Sequence, residues 1–163
     1  RTAGPARTCR SAPMTSEDNP RIFVPPPLIF AGLLAIGLFI DREPVAIGRV
    51  QVIAVAVGLA GLVLIAMALV MFRTNQTRPE PWQPASALVA AGIYRFTRNP
   101  MYLGMAMLSL ATALFFASIS AGLLTILAMI IVDRLVIARE EAYLARRFGE
   151  DYLAYRRAVR RWL

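Results

Sequence analysis

Long uncharged stretches alternate with short charged or proline-rich ones along this chain, and their lengths decide what they can form. Residues 22–40 carry no charge, close to the roughly 20 residues that cross a bilayer as a helix. Pro25, Pro26 and Pro27 cannot lie inside that helix, because proline lacks an amide proton and clashes with the preceding turn. The first span is therefore expected at 27–40. A cleaved signal sequence is the alternative reading, but no small-residue cleavage site follows the run. Asp41, Arg42, Glu43 and Pro44 make a polar turn, after which residues 50–72, apolar apart from Gln51, are long enough for a second span. Gly58 and Gly61 within it permit close helix contact.

Residues 101–132 again hold no charge. A single helix of that length would measure about 48 Å, against a hydrocarbon thickness of roughly 30 Å. The run has to fold back, and Ser118, Ile119, Ser120, Ala121 and Gly122 offer the turn. Spans at 100–117 and 121–138 follow as a tight hairpin, with Asp133 and Arg134 near the membrane interface. From residue 139 to 163 the pattern becomes charged and amphipathic. Gly149 marks a helix end, and Glu150 and Asp151 occupy the first turn of a last helix that runs to the C-terminus. Leu144, Phe148, Tyr152, Tyr155, Val159 and Trp162 form one stripe at steps of three and four, flanked by arginines. Such a piece lies on the membrane surface or packs against residues 73–99. The expected fold is all-α: a polytopic membrane protein of about four transmembrane helices, with a C-terminal helical hairpin and amphipathic cytoplasmic helices.

Composition agrees with that plan, since 58% of the chain is hydrophobic against roughly 45–50% in soluble domains. Residues 1–20 lack apolar periodicity, and Met14 resembles a natural start, so a leader is set apart from a single membrane domain at 21–163. The net charge of +8 comes from 18 arginines and no lysine. These are divided among the segments that flank the apolar runs, which suits a lipid bilayer as partner and argues against nucleic acid. Residues 73–99 carry Arg73, Arg78, Arg95 and Arg98 against Glu80 alone, so this segment and both termini are expected on the cytoplasmic side, of the inner membrane in a bacterial cell. The sequence contains no histidine, which removes histidine bases, histidine metal ligands and serine–histidine triads; no metal is expected. Cys9, the single cysteine, cannot form an internal disulfide.

Two places concentrate candidate chemistry. At Asn99 and Pro100 a basic loop turns into an apolar helix. Asn99 suits the N-cap and Pro100 the first helical position, so the first amides, with Arg95 and Arg98 just outside, are arranged for an anion. The structural alternative is a capped membrane helix with arginines at the lipid headgroups. The second place is Glu140 and Glu141, expected near a helix end, where carboxylates oppose the dipole. Neither has a basic residue three or four positions away on its own helix, so both need an outside partner. The hairpin carries them back toward Arg95, Arg98 and Asn99. A positive helix start facing two carboxylates suits a zwitterion with its own carboxylate, a cationic centre and hydroxyls. A salt bridge from the glutamates to Arg95 or Arg98 is the structural alternative.

Residues 88–95, the block Arg98-Asn99-Pro100-Met101-Tyr102-Leu103-Gly104, and Glu140-Glu141 followed by Leu144, Phe148-Gly149, Tyr152, Tyr155 and Arg161-Trp162 together resemble the signature of the isoprenylcysteine carboxyl methyltransferase family. That signature is shared in part with phospholipid N-methyltransferases. The resemblance covers about the last 80 residues and implies an integral membrane methyltransferase that uses S-adenosylmethionine. The cofactor would lie between the loop before the penultimate span and the C-terminal helices. Carried onto this chain, the motif implies Arg95, Arg98 and Glu140 as catalytic residues. It implies Tyr94, Asn99, Pro100, Tyr102, Gly104, Glu140 and Glu141 as cofactor-binding ones. The arginines would hold carboxylates, the two tyrosines would line the pocket, and the glutamates would take the amine or ribose hydroxyls.

The family commonly has histidine where Asn99 stands and proline where Ile93 stands. Asparagine keeps a cap and a hydrogen bond but cannot accept a proton as imidazole does. Methyl transfer to a carboxylate or thiolate needs no general base, because the sulfonium is already activated and alignment with exclusion of water does the rest. The expected acceptor is lipophilic or lipid-borne: a carboxylate, thiol or amine. A scaffold that keeps the fold without catalysis is the alternative, and a reductase is disfavoured by the lack of a glycine-rich dinucleotide fingerprint.

Overall fold

The computed structural model describes residues 24–41, 48–74 and 88–163, and every element among them is helical. The leader at 1–20, the turn residues 42–44 and most of the proline-rich half of segment 73–99 lie outside the described residues. The helices are α1 (Pro26–Ile40), α2 (Arg49–Thr74), a 3-10 turn (Gly92–Arg95), α3 (Pro100–Phe115), α4 (Ile119–Ile131), a π-turn (Val132–Ile137), α5 (Ala138–Phe148) and α6 (Glu150–Ala158). Elements α4 and α5 with the π-turn between them form one continuous helix of 30 residues.

Two helices are long and apolar enough to cross a membrane, α2 and the continuous Ile119–Phe148, fewer than the four expected. The other two apolar helices have 15 and 16 residues, about 22–24 Å at 1.5 Å per residue. Four more expectations are corrected. The hairpin turn lies at Phe116–Ser118, with Ala117 at φ 50°, and helix resumes at Ile119. Ser118 is the reason: its hydroxyl accepts the Ala121 amide at 3.0 Å and caps α4, so residues 119–122 are helical. Glu140 and Glu141 are not at a helix end, because the helix continues to Phe148 and the dipole penalty does not arise. The last helix stops at Ala158, after which the chain is extended. Asn99 occupies the N-cap position of α3, but its side chain makes no capping bond.

Small residues set the helix pairing. A methyl group on Gly61 would come within 2.8 Å of the Gly104 carbonyl oxygen, and one on Gly104 within 2.7 Å of the Gly61 carbonyl, so α2 and α3 touch backbone to backbone. Gly104 thus serves the α2–α3 contact. Further along the pair, Gln51, the one polar residue foreseen in the second span, donates from Nε2 to the Phe115 carbonyl at 3.2 Å, which fixes α2 and α3 as antiparallel. Helices α1 and α4 are antiparallel as well. Phe30 packs with Ala128 and Val132 at one end, and Asp41 meets the start of α4 at the other. The Asp41 carboxylate accepts the Ser120 amide at 2.7 Å and the hydroxyls of Ser118 and Ser120, and these bonds hold its pKa below the usual value. Val52, Leu62, Val63, Leu123 and Ile126 are more than half exposed, an outer surface of the kind that lipid covers.

The tightest contact yields a prediction. A methyl group on Gly37 would lie 2.3 Å from the Ala121 Cα, where no side chain can swing aside. Gly37→Ala is therefore expected to force α1 off α4 at a cost of about 1–3 kcal/mol. Thermal melting in detergent should show the loss, and an unchanged melting temperature would remove the close α1–α4 contact from the account.

Candidate functional site

At the end of the bundle opposite Asp41, the start of α3, the π-turn and the chain after α6 converge. The loop before α3 is pinned from within. Thr97 is fully buried, its hydroxyl accepting the Asn99 amide at 3.2 Å and donating to the Arg161 carbonyl at 3.2 Å. The Asn99 side chain turns the same way and donates from Nδ2 to that carbonyl at 3.0 Å. This explains the lost cap: the asparagine reaches the C-terminal segment after α6 instead of its own helix. The Arg98 amide donates to the Arg160 carbonyl at 3.0 Å, so residues 160–162 lie as a strap across the 97–99 loop.

The π-turn determines what the long helix presents there. In a regular α-helix, Asp133 and Glu141, eight residues apart, would point about 80° apart. A π-turn absorbs one residue, which brings them to within about 20° of each other. One guanidinium then spans both. Arg161 donates to Glu141 from Nε at 3.1 Å and from Nη2 at 2.6 Å, and from Nη1 to both oxygens of Asp133 at 3.2 and 3.1 Å. The Trp162 indole N–H donates to the same Asp133 at 2.9 Å. The Glu141 hydrogen bonds, reinforced by the charges of Glu141 and Asp133, hold the Arg161 guanidinium above its usual pKa despite partial burial.

Glu141 also meets Arg98, whose Nη2 lies 3.1 Å from Oε1; the Arg98 side chain is 10% exposed. The Nε and Nη1 atoms of Arg98 are sealed from solvent and make no close hydrogen bond among the described residues, although the buried Tyr152 hydroxyl lies near enough to interact with the same guanidinium. Buried donors of a charged group left without an acceptor cost more than they return, so they mark a place made for an acceptor. Glu140, one residue earlier, faces α3 and accepts the Tyr102 hydroxyl at 3.1 Å. Tyr94 is buried, its ring edge-on to Phe72 at 5.7 Å, and burial with the nearby Glu140 charge raises its hydroxyl pKa. Its carbonyl accepts the Tyr155 hydroxyl at 2.7 Å, so the aromatic stripe of the tail packs inward on the 3-10 turn.

Of the residues expected at the site, Arg98, Asn99, Pro100, Tyr102, Glu140 and Glu141 come together around the start of α3, with Tyr94 beside Glu140. Arg95 is exposed and has no ion pair among the described residues, and Gly104 belongs to the contact with α2. Thr97, Asp133 and the pairing roles of Arg161 and Trp162 are additions from the structure. Asp133 had a signal, since a carboxylate within an apolar run demands a partner. Chemically, the arrangement offers two guanidinium donors that are unpaired among the described residues and a second carboxylate that accepts one tyrosine hydroxyl. Glu141 is thus committed to arginines, and Glu140 is not.

The sequence model of the phospholipid methyltransferase family matches residues 50–151 of this chain. That range takes in α2, the converging loop, the hairpin and both glutamates. A protein of Haemophilus influenzae named only as uncharacterized is 40% identical over 63 residues, which is 39% of this chain and 100% of that protein.

Proposed function

The chain belongs to the phospholipid methyltransferase family, and on that premise we propose that it is a membrane methyltransferase that takes its methyl group from S-adenosylmethionine. The acceptor is lipophilic or lipid-borne, with a carboxylate, thiol or amine as the nucleophile. The likeness to isoprenylcysteine carboxyl methyltransferases belongs to this proposal, as do the single domain at 21–163, four spans, and a cytoplasmic placement of both termini and of segment 73–99. Reporter fusions at residues 41–44 and at the C-terminus are expected to give opposite signals; matching signals would remove the four-span arrangement.

The observation that carries the reading is the pair of sealed nitrogens on Arg98 that make no close hydrogen bond among the described residues, while Glu140, next in the chain to the glutamate Arg98 pairs with, accepts the Tyr102 hydroxyl. The residues fit the amino-acid end of the cofactor. Arg98 would receive its carboxylate through a single charge-assisted hydrogen bond from Nε or Nη1, since Nη2, which both guanidinium forks share, is on Glu141, and Glu140 would receive its ammonium group. The bound cofactor supplies an electrophilic methyl on a sulfonium. The chain's contribution is to fix that group by one end and to keep water from the reacting centre. Tyr102 orients Glu140 through its hydroxyl, and Tyr94 lies near the same carboxylate. Because the Arg98 nitrogens have no solvent access, part of the cover has to lift for an anion to reach them. The direct test is incubation of the purified chain with isotopically labelled S-adenosylmethionine and extracted membrane lipids or lipophilic thiols, with mass-spectrometric search for a labelled product. A methylated lipophile supports the proposal, and cofactor binding without any labelled product would favour a non-catalytic role.

A further inference from the structure

Asp133 touches neither of the groups assigned to the cofactor, yet it anchors the guanidinium on which the arrangement depends. Glu141 has two oxygens and three donors around it: Arg98 Nη2 and Arg161 Nε on Oε1, and Arg161 Nη2 on Oε2. Carboxylates prefer to engage an arginine through two parallel bonds. With Arg161 absent or turned aside, Glu141 can close bidentately on Arg98 through Nη2 and one of the two donors that now stand free. Arg161 prevents this by claiming the glutamate edge-on, and its own orientation is fixed at the far end by Asp133, which also holds Trp162. The π-turn is what makes the two carboxylates reach one guanidinium, which gives that irregularity a purpose.

We propose that Asp133 is a positioning residue that keeps Arg98 available to a ligand carboxylate, acting through Arg161 and Glu141. The inference rests on the reading of Arg98 given under the proposed function. It separates from a merely structural role by ligand selectivity. If Asp133 only stabilises the fold, its loss weakens all ligands of the site alike; if it keeps Arg98 free, the loss falls on ligands that carry a carboxylate.

The test is equilibrium titration of the purified full chain, wild type and Asp133→Asn, with S-adenosylmethionine and with its decarboxylated analogue, which keeps the sulfonium, amine and adenosine. The expected result is about a tenfold loss of affinity for S-adenosylmethionine with affinity for the analogue unchanged. Unchanged analogue binding also reports that the variant is folded. Trp162→Phe, which removes one hydrogen bond to Asp133, is expected to shift selectivity in the same sense by less, and carries the test if Asp133→Asn fails to fold. Asp133→Glu should restore part of the selectivity. Equal weakening of both ligands, or no change for either, overturns the inference while leaving the cofactor site in place. A wild-type chain that binds neither ligand overturns the cofactor site and this inference together.

Discussion

Truncating Glu141 to alanine is expected to cost the ligand-free protein about 3–5 kcal/mol of stability, the usual result of breaking a buried ion pair from one side. Glu141 is 8% exposed and neutralises two arginines, Arg98 at 10% and Arg161 at 30% exposure. Its removal strands the more buried of them without a counter-charge and leaves Arg161 with Asp133 alone. The strap loses part of its hold at the same moment, keeping only the bonds of Arg161 and Trp162 to Asp133 on the long helix. Glu141→Gln keeps the shape and loses the charge, so a smaller loss in the same direction is expected. Melting of detergent-solubilised variants without cofactor measures both. An unchanged melting temperature with weakened cofactor binding would return Glu141 to the ligand-binding role that the adjacent-glutamate motif implied.

Glu140→Gln should behave in the opposite way. The substitution removes a charge whose partner is a tyrosine hydroxyl, not an arginine, and a buried carboxylate without a counter-charge is a burden on the fold that a neutral amide relieves. Folding is expected to survive. Affinity for S-adenosylmethionine should fall about tenfold to a hundredfold, the worth of one charge-assisted hydrogen bond. An unchanged affinity in Glu140→Gln would remove Glu140 as the ammonium partner.

The contrast between two neighbouring glutamates shows where the sequence is readable. That both need partners from outside their own helix follows from local spacing, and an uncharged run too long for one crossing forces the hairpin that brings Arg98 to them. Which glutamate goes to which partner is decided by rotation about the helix, and the π-turn that sets this rotation has no signature in residues 132–137. The same holds for the tail. Six arginines between residues 146 and 161 are equivalent as letters, and only the end of α6 at Ala158 and the irregular chain after it place Arg161 between two carboxylates while Arg156 and Arg157 stay exposed. Asn99 was legible as a helix start by its neighbour Pro100, yet Thr97 and the strap compete for its side chain. Such competition between local capping and a contact 62 residues away is settled by tertiary packing.

The central claim is that Arg98 holds the carboxylate of a bound cofactor, and it can be measured directly. Arg98→Met leaves Glu141 its two bonds to Arg161 and so leaves the fold its principal ion pair. Calorimetric titration of S-adenosylmethionine into the purified chain should show saturable binding for the wild type and at least about tenfold weaker binding for Arg98→Met, with melting of the free variant confirming that it is folded. Equal affinities in the two proteins, or a wild type that shows no saturable binding, would contradict the account.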